Sequence, residues 1–137
     1  MGLITNLVYL DSCLVIYLVE ENQAFAPSLE TSISSLSNVN LVVSDLTMME
    51  CFVVPIRNNN QLLIDKFTGW FEQVNVFSLS KQIFHHAAKL RADHSSLKTP
   101  DALHLATAIH HNCDEFWTND NRLNKIAPSM VKDVFHS

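Results

Sequence analysis

Four carboxylates stand beside segments whose patterns predict the end of a strand or the beginning of a helix. Asp11 directly follows a short apolar run, and Asp120 closely follows another that ends at Trp117. Asp101 opens an apolar helix pattern, and Glu50 lies nearly two turns into the helix pattern after the second predicted strand. At one edge of one sheet these acids would repel one another, and a divalent cation would remove that cost. Ligation by oxygen alone favours Mg²⁺ or Mn²⁺ over zinc.

Each acid also has an ordinary structural interpretation. An Asp after a strand is most often a turn or capping residue, and Asp101 alone would be a common helix N-terminal acid. Glu50 alone would be a solvated helix residue. Taken singly, each acid favours that interpretation, whereas the four together favour a metal site.

Other kinds of active site find little support in the sequence. The two glycines, Gly2 and Gly69, cannot form a glycine-rich phosphate loop. The three cysteines contain no C-x-x-C pair, which indicates reduced thiols rather than a zinc site. Ser12 is expected to lack a histidine partner, so no side-chain nucleophile is predicted. His104 is expected to be a hydrogen-bonded core residue, and no histidine is assigned to catalysis.

Alternating strand and helix patterns would position the acids. Short apolar strands are predicted at residues 3–10, 41–43, 74–77, 115–117 and near 130–135. Helices are predicted after the N-caps Ser12, Ser44, Ser80 and Thr99, from Pro27, and over residues 62–71. Pro55 is expected to end or kink its helix. The order predicts an α/β three-layer sandwich with a central, mostly parallel sheet flanked by helices, in one domain over residues 1–137.

Composition limits the class of protein further. The chain has 137 residues, 47% of them hydrophobic and 17% charged, which argues against disorder. Its net charge of −5 argues against a broad basic face for nucleic acid. The apolar run at residues 3–19 is split by Asp11 and has no basic flank or cleavage site, so neither a signal peptide nor a membrane span is predicted. These features predict a cytoplasmic protein without a membrane partner.

Four segments together resemble the PIN-domain ribonucleases, and among these the VapC-type toxins of toxin–antitoxin pairs. They are YLDS at residues 9–12, SDLTMME at 44–50, LKTPDALHLATA at 97–108 and FWTND at 116–120. The resemblance extends over essentially the whole chain. It implies a PIN-like fold and an endoribonuclease that uses Mg²⁺ or Mn²⁺ to hydrolyse RNA phosphodiester bonds.

The resemblance also implies residue roles and partners. It assigns the catalytic and metal-binding positions to Asp11, Glu50, Asp101 and Asp120, and the supporting hydroxyl positions to Ser12 and Thr118. The position after Ser12 is often polar in this family, and here it is Cys13. A cognate antitoxin and a homodimer are implied as well.

Cationic residues near the acids are predicted to hold the RNA. Lys98 and Arg122 flank the proposed acids and Arg91 is expected nearby, although solvated surface charge is an open interpretation of each.

Two other functions remain as alternatives. One is a catalytically silent PIN-like binding module. The other is a receiver-type phosphoacceptor domain. Such a domain would need an acidic pair after the first strand, whereas here the residue before Asp11 is Leu10.

Overall fold

A parallel sheet of five strands forms the centre of residues 6–135, the part of the chain described by this computed structural model. The strands are β1 (Asn6–Leu10), β2 (Val39–Ser44), β3 (Asn75–Phe77), β4 (Glu115–Thr118) and β5 (Val131–Asp133). Their order in the sheet is β3-β2-β1-β4-β5, and every neighbouring pair is parallel. The predicted first strand began at residue 3, and its residues 3–5 lie outside the described part.

Six α-helices flank the sheet within the same residues. They are α1 (Ser12–Val19), α2 (Ala26–Ser34), α3 (Asp45–Arg57), α4 (Gln61–Phe71), α5 (Lys81–Asp93) and α6 (Thr99–His110), with a 3-10 helix at Asn121–Lys125. Among the described residues, none of the helices has both the length and the apolar character needed to cross a membrane.

Alternation along the strands divides the core into two layers. Tyr9 and Phe116 face the layer covered by α5 and α6. Val8, Leu10 and Trp117 face the other layer, which is packed against α1, α2, α3 and α4. Successive strand residues point to opposite faces, so a short continuous apolar run can fill both layers of a parallel sheet. The predicted three-layer α/β sandwich is therefore confirmed.

Strand order determines where the proposed acids meet. β1 lies between β2 and β4, and Leu10 at its end is in register with Trp117 of β4. All strands run in one direction, so the residues that follow β1, β2 and β4 emerge at a single edge of the sheet. This edge is where ligands bind in open parallel sheets.

Two predicted helix caps are wrong by one residue. The N-cap of α1 is Asp11 rather than Ser12, and its carboxylate accepts a hydrogen bond from the Ser12 backbone N–H. Thr99 is the first residue of α6, and the N-cap is Lys98, which makes no side-chain capping bond. Asp101 nevertheless lies in the first turn of α6, as predicted. The shift at α1 makes the Asp11 carboxylate, rather than the Ser12 hydroxyl, the cap at this edge of the sheet.

Pro55 was predicted to end or kink its helix; an end at Pro55 is wrong, and a kink stays a prediction. α3 continues through Pro55 to Arg57, and the Pro55 ring is buried. A proline removes one backbone hydrogen bond but keeps a helical φ, so a helix can continue for its last two residues after one.

Candidate active site

Asp11 lies at the turn between β1 and α1, and two neighbouring groups hold its carboxylate. Its backbone N–H donates to the Trp117 carbonyl at 2.9 Å, which extends the pairing of β1 with β4 by one bond. Oδ1 accepts from the Ser12 N–H, and Oδ2 accepts from the buried Thr118 hydroxyl, each at 2.8 Å. Thr118 therefore contacts an acid of the predicted quartet and orients its carboxylate.

Glu50 reaches the same edge from the second turn of α3. Its Oε1 accepts a hydrogen bond from the Ser12 hydroxyl at 2.5 Å and lies 2.5 Å from Nε2 of His104. Burial alone would raise the pKa of the Glu50 carboxyl. The hydrogen bonds from His104 and Ser12, together with the charge on His104, outweigh burial and lower that pKa below its ordinary value. Glu50 is therefore held as a carboxylate.

His104 is a hydrogen-bonded core residue, as predicted, and it also contacts the acidic site. Its Nδ1 lies 2.6 Å from the Tyr9 hydroxyl, and its Nε2 lies 3.2 Å from the Ser12 hydroxyl. The expectation that Ser12 lacks a histidine partner is therefore wrong. The Ser12 hydroxyl donates to Glu50, however, so its contacts orient a carboxylate. Spacing carried a signal for His104, because it follows Asp101 by three residues on one face of α6.

Asp101 stands among like charges. Burial raises the pKa of its carboxyl, the negative charges of Asp11 and Asp120 raise it further, and His104 and Arg122 only partly oppose this. Within residues 6–135 the Asp101 carboxylate receives no hydrogen bond, in contrast to Glu50. Asp101 and Asp120 line a small cavity of about 80 Å³ together with Lys98 and Arg122.

Asp120 follows β4 and is already paired with a cation. Arg122 donates from Nε to Oδ1 at 2.9 Å and from Nη2 to Oδ2 at 2.6 Å. These hydrogen bonds lower the pKa of the Asp120 carboxyl; burial opposes the shift, and the charges of Arg122 and Lys98 add to it. As the side chains stand, residues 6–135 contain no group of three His, Cys, Asp or Glu side chains in a metal-binding arrangement. The Asp120 carboxylate points at Arg122.

The other predicted cationic residues lie at different distances from the acids. Lys98 is exposed immediately before α6, where its charge acts on Asp120. Arg91 donates from Nε to the Leu97 carbonyl at 3.0 Å, so it supports the loop that leads into α6. Of the three, Lys98 and Arg122 line the cavity beside the acids.

Cys13 also takes part in the edge of the sheet. Its Sγ donates to Oδ1 of Asn119 at 3.3 Å, and Nδ2 of Asn119 donates to the Tyr17 hydroxyl at 2.7 Å. Burial, and then the negative charge of Asp11, raise the pKa of the Cys13 thiol to about 12, so the thiol is a neutral donor. Cys13 therefore holds Asn119, the residue between Thr118 and Asp120, in place.

The donor set fits a hard divalent cation. Asp11 and Asp120 both act electrostatically on Asp101. The fourth predicted acid, Glu50, contacts Ser12, which also contacts Asp11. All of these donors are carboxylate oxygens, which Mg²⁺ and Mn²⁺ prefer. A cation between Asp11 and Asp101 would replace their repulsion with attraction.

Known proteins share this fold. VapBC-1 from nontypeable Haemophilus influenzae is 22% identical with a TM-score of 0.78, over 94% of this chain and 98% of that one. DNA-bound VapBC from Salmonella typhimurium is 15% identical with a TM-score of 0.75, over 96% and 99%. VapC20 from Mycobacterium tuberculosis, a sarcin–ricin loop cleaving toxin, is 12% identical with a TM-score of 0.73, over 88% and 95%. At these identities the likeness shows the fold alone.

The family is shown by the sequence itself. No curated protein matches the chain. Residues 8–128, which include all four predicted acids, match the PIN domain family. The chain belongs to the PIN domain family.

Proposed function

We propose that this protein is an endoribonuclease that hydrolyses RNA phosphodiester bonds with Mg²⁺ or Mn²⁺ at the edge formed by Asp11, Glu50, Asp101 and Asp120. The observation that carries the proposal is the meeting of these acids at one edge of the sheet: Asp11 and Glu50 both contact Ser12, and Asp101 and Asp120 line one cavity. Burial, and then the charges of Asp11 and Asp120, raise the pKa of Asp101, which agrees with this arrangement. Carboxylates that repel one another cost stability unless a cation binds between them. Such an arrangement at the ligand-binding edge of a parallel sheet favours a functional explanation.

Asp11 and Asp101 are the first choices for direct cation ligands. Asp120 and Glu50 complete the site, directly or through water. When bound, the cation acidifies water and neutralises charge on the phosphate oxygens. The chain contributes orientation: Thr118 holds Asp11, while Ser12 and His104 hold Glu50.

Phosphate is held by the two cationic residues that line the cavity, Lys98 and Arg122. The Arg122 side chain is 72% exposed, so its guanidinium could contact a phosphate instead of Asp120, which would free the Asp120 carboxylate for a cation. A chain with a net charge of −5 attracts RNA poorly at long range, so these few contacts and the cation carry binding.

A partner protein also fits the surface, and we propose that the nuclease is the toxin of a toxin–antitoxin pair in the cytoplasm. The similar structures from Haemophilus and Salmonella are VapBC assemblies. α3 exposes an apolar stripe at helical spacing, formed by Met49, Val53 and Ile56, and Leu62 of α4 is 70% exposed. Exposed apolar patches of this kind mark protein interfaces. An antitoxin or a second copy of the chain would cover it.

The nuclease is tested with purified protein and a labelled RNA. Cleavage should require Mg²⁺ or Mn²⁺, stop with a chelator, and be lost in Asp101→Asn. The matched control is Asp93→Asn, because Asp93 is an exposed acid at the end of α5. Metal binding without cleavage of any RNA would instead support a catalytically silent PIN-like module. Membership of the PIN family removes the receiver-type alternative.

Toxicity is tested by expression in a bacterial host. Wild-type protein should arrest growth, and Asp101→Asn expressed at the same level should be harmless. If the host tolerates both equally, the toxin assignment fails while the nuclease assignment stands.

A further inference from the structure

A chain of polar side chains, buried except for the partly exposed Glu50, joins the core to the acidic edge. It runs from Ser44 through Tyr9 and His104 to Glu50 and Ser12, with successive contacts of 2.8, 2.6, 2.5 and 2.5 Å. We propose, on the basis of the function proposed above, that His104 is a positioning residue that orients Glu50 for the cation site and is itself oriented by Tyr9.

The contacts of Glu50 show what His104 controls. Its two donors, Ser12 and His104, both contact Oε1, and no donor within residues 6–135 contacts Oε2. A carboxylate only accepts hydrogen bonds, so the proton in the contact with Glu50 belongs to Nε2 of His104. One oxygen of Glu50 is therefore held in place, and the other is left for a cation or its water.

Burial restricts the movement of the His104 side chain. Its side chain is 1% exposed, whereas that of Glu50 is 28% exposed. The ring of Tyr9 meets the imidazole edge-on at a centroid distance of 5.6 Å and stacks on Phe116 at 5.3 Å. Hydrogen bonds in such a low-dielectric setting are strong and well oriented. Partners behind a ligand commonly determine how that ligand meets a metal.

The imidazole also links the elements that carry the acids. His104 lies one turn after Asp101 on α6, contacts Glu50 of α3, and lies 3.2 Å from Ser12, the neighbour of Asp11. A shift of α3 relative to α6 would break this contact. His104 therefore determines the separation of Glu50 from the other acids as well as its orientation.

Two substitutions separate the two ends of the ring. The amide of Gln reaches the position of Nε2 and can donate to Glu50, whereas the amide of Asn reaches only the position of Nδ1 beside Tyr9. Affinity for Mn²⁺ alone, measured from the electron paramagnetic resonance signal of the free ion, should fall about 10- to 100-fold in His104→Asn. His104→Gln should stay closer to wild type. Thr107→Val is the control, because the buried Thr107 hydroxyl bonds only the Leu103 carbonyl of its own helix.

A background without the Glu50 charge distinguishes positioning from general destabilisation. In Glu50→Gln, a further His104→Asn change should cause no additional loss of Mn²⁺ affinity, although it should still lower the melting temperature. If His104→Asn does not fold, Tyr9→Phe removes only the hydroxyl behind His104 and should weaken Mn²⁺ binding in the same direction by a smaller factor.

The inference is overturned if His104→Asn binds Mn²⁺ as tightly as wild type, or if its loss persists undiminished in Glu50→Gln. In either case wild-type binding and cleavage leave the proposed nuclease standing. A wild-type protein that binds no Mn²⁺ overturns both.

Discussion

The two halves of the acidic edge are built in opposite ways. The inner half consists of Glu50, Ser12, His104 and Tyr9, and the outer half of Asp101, Asp120, Arg122 and Lys98. In the inner half, the buried donors Ser12 and His104 hold the Glu50 carboxylate, whose pKa is lowered despite its burial. In the outer half, Asp101 has its pKa raised by burial and by neighbouring carboxylates, and Asp120 depends on an exposed guanidinium.

The inner half is therefore preorganised, whereas the outer half can rearrange. Hydrogen bonds among buried groups keep their geometry at any ionic strength, because little solvent or salt reaches them. An ion pair with an exposed partner is weak and can be exchanged for other partners. The inner half therefore suits a fixed ligand, and the outer half suits groups that rearrange when cation and RNA arrive.

Removing a direct ligand should have the largest effect. Asp11→Asn keeps the size of the side chain but removes the charge, and it should reduce single-turnover RNA cleavage by more than the roughly 10- to 100-fold typical of a supporting residue. The far-ultraviolet circular dichroism spectrum should not change. Cleavage close to the wild-type rate would remove Asp11 from the ligand set.

Breaking the inner half should cost more stability than breaking the outer half. Glu50→Ala leaves the buried Ser12 and His104 groups without their acceptor, and the free energy of unfolding should fall by about 1–3 kcal/mol. Urea denaturation of the metal-free protein measures it. Asp120→Ala is the comparison and should change stability less, because it removes an exposed ion pair and one capping hydrogen bond from the Arg122 N–H, and Arg122 returns to water. Equal losses would show that the two halves are equally rigid.

Folding stability should change with pH in opposite directions for the two halves. The pKa of Glu50 is lowered by folding, so its contribution is present above the ordinary Glu pKa and is lost as pH falls through the lowered value. The pKa of Asp101 is raised, so its ionisation opposes folding, and stability falls as pH rises from the ordinary Asp pKa through the raised value.

Melting temperatures measured with a chelator should show this contrast. At neutral pH, Asp101→Asn should melt above wild type and Glu50→Gln below it. Both differences should shrink in acid, where the wild-type carboxyls are protonated. A lower melting temperature for Asp101→Asn at neutral pH would mean that its carboxylate is not under repulsion.

The smallest expected effect is on the salt dependence of RNA binding. Each phosphate contact with single-stranded RNA contributes roughly 0.7 to the slope of log affinity against log salt, so the total slope should be about 2 or less. Lys98→Ala should reduce it by about 0.7, measured by fluorescence anisotropy. Lys66→Ala, on the exposed side of α4, should leave it unchanged. A steep slope that is indifferent to Mg²⁺ would place the RNA on another surface.

Local patterns in the sequence determined the fold class and the family. Short apolar runs separated by helical spacing specify a buried parallel sheet, because each run must fill both layers of the core. Each of the four acids lies in a short continuous motif, so the PIN resemblance could be recognised without coordinates. The family match over residues 8–128 confirms it. The same patterns placed the caps of α3 and α5 correctly, at Ser44 and Ser80, and those of α1 and α6 to within one residue, since adjacent residues compete at a helix start.

Only the tertiary structure decided how the acids differ from one another. The contact between Glu50 and His104 joins residues 54 apart in the chain, and that between Ser12 and His104 joins residues 92 apart. No periodicity of a single helix or strand encodes such pairs. The pKa of a carboxyl depends on burial and on charges brought near it through space. Three carboxylates therefore came to differ once the fold had brought them to one edge: Glu50 is held by hydrogen bonds, Asp101 is repelled by neighbouring charges, and Asp120 is paired with Arg122.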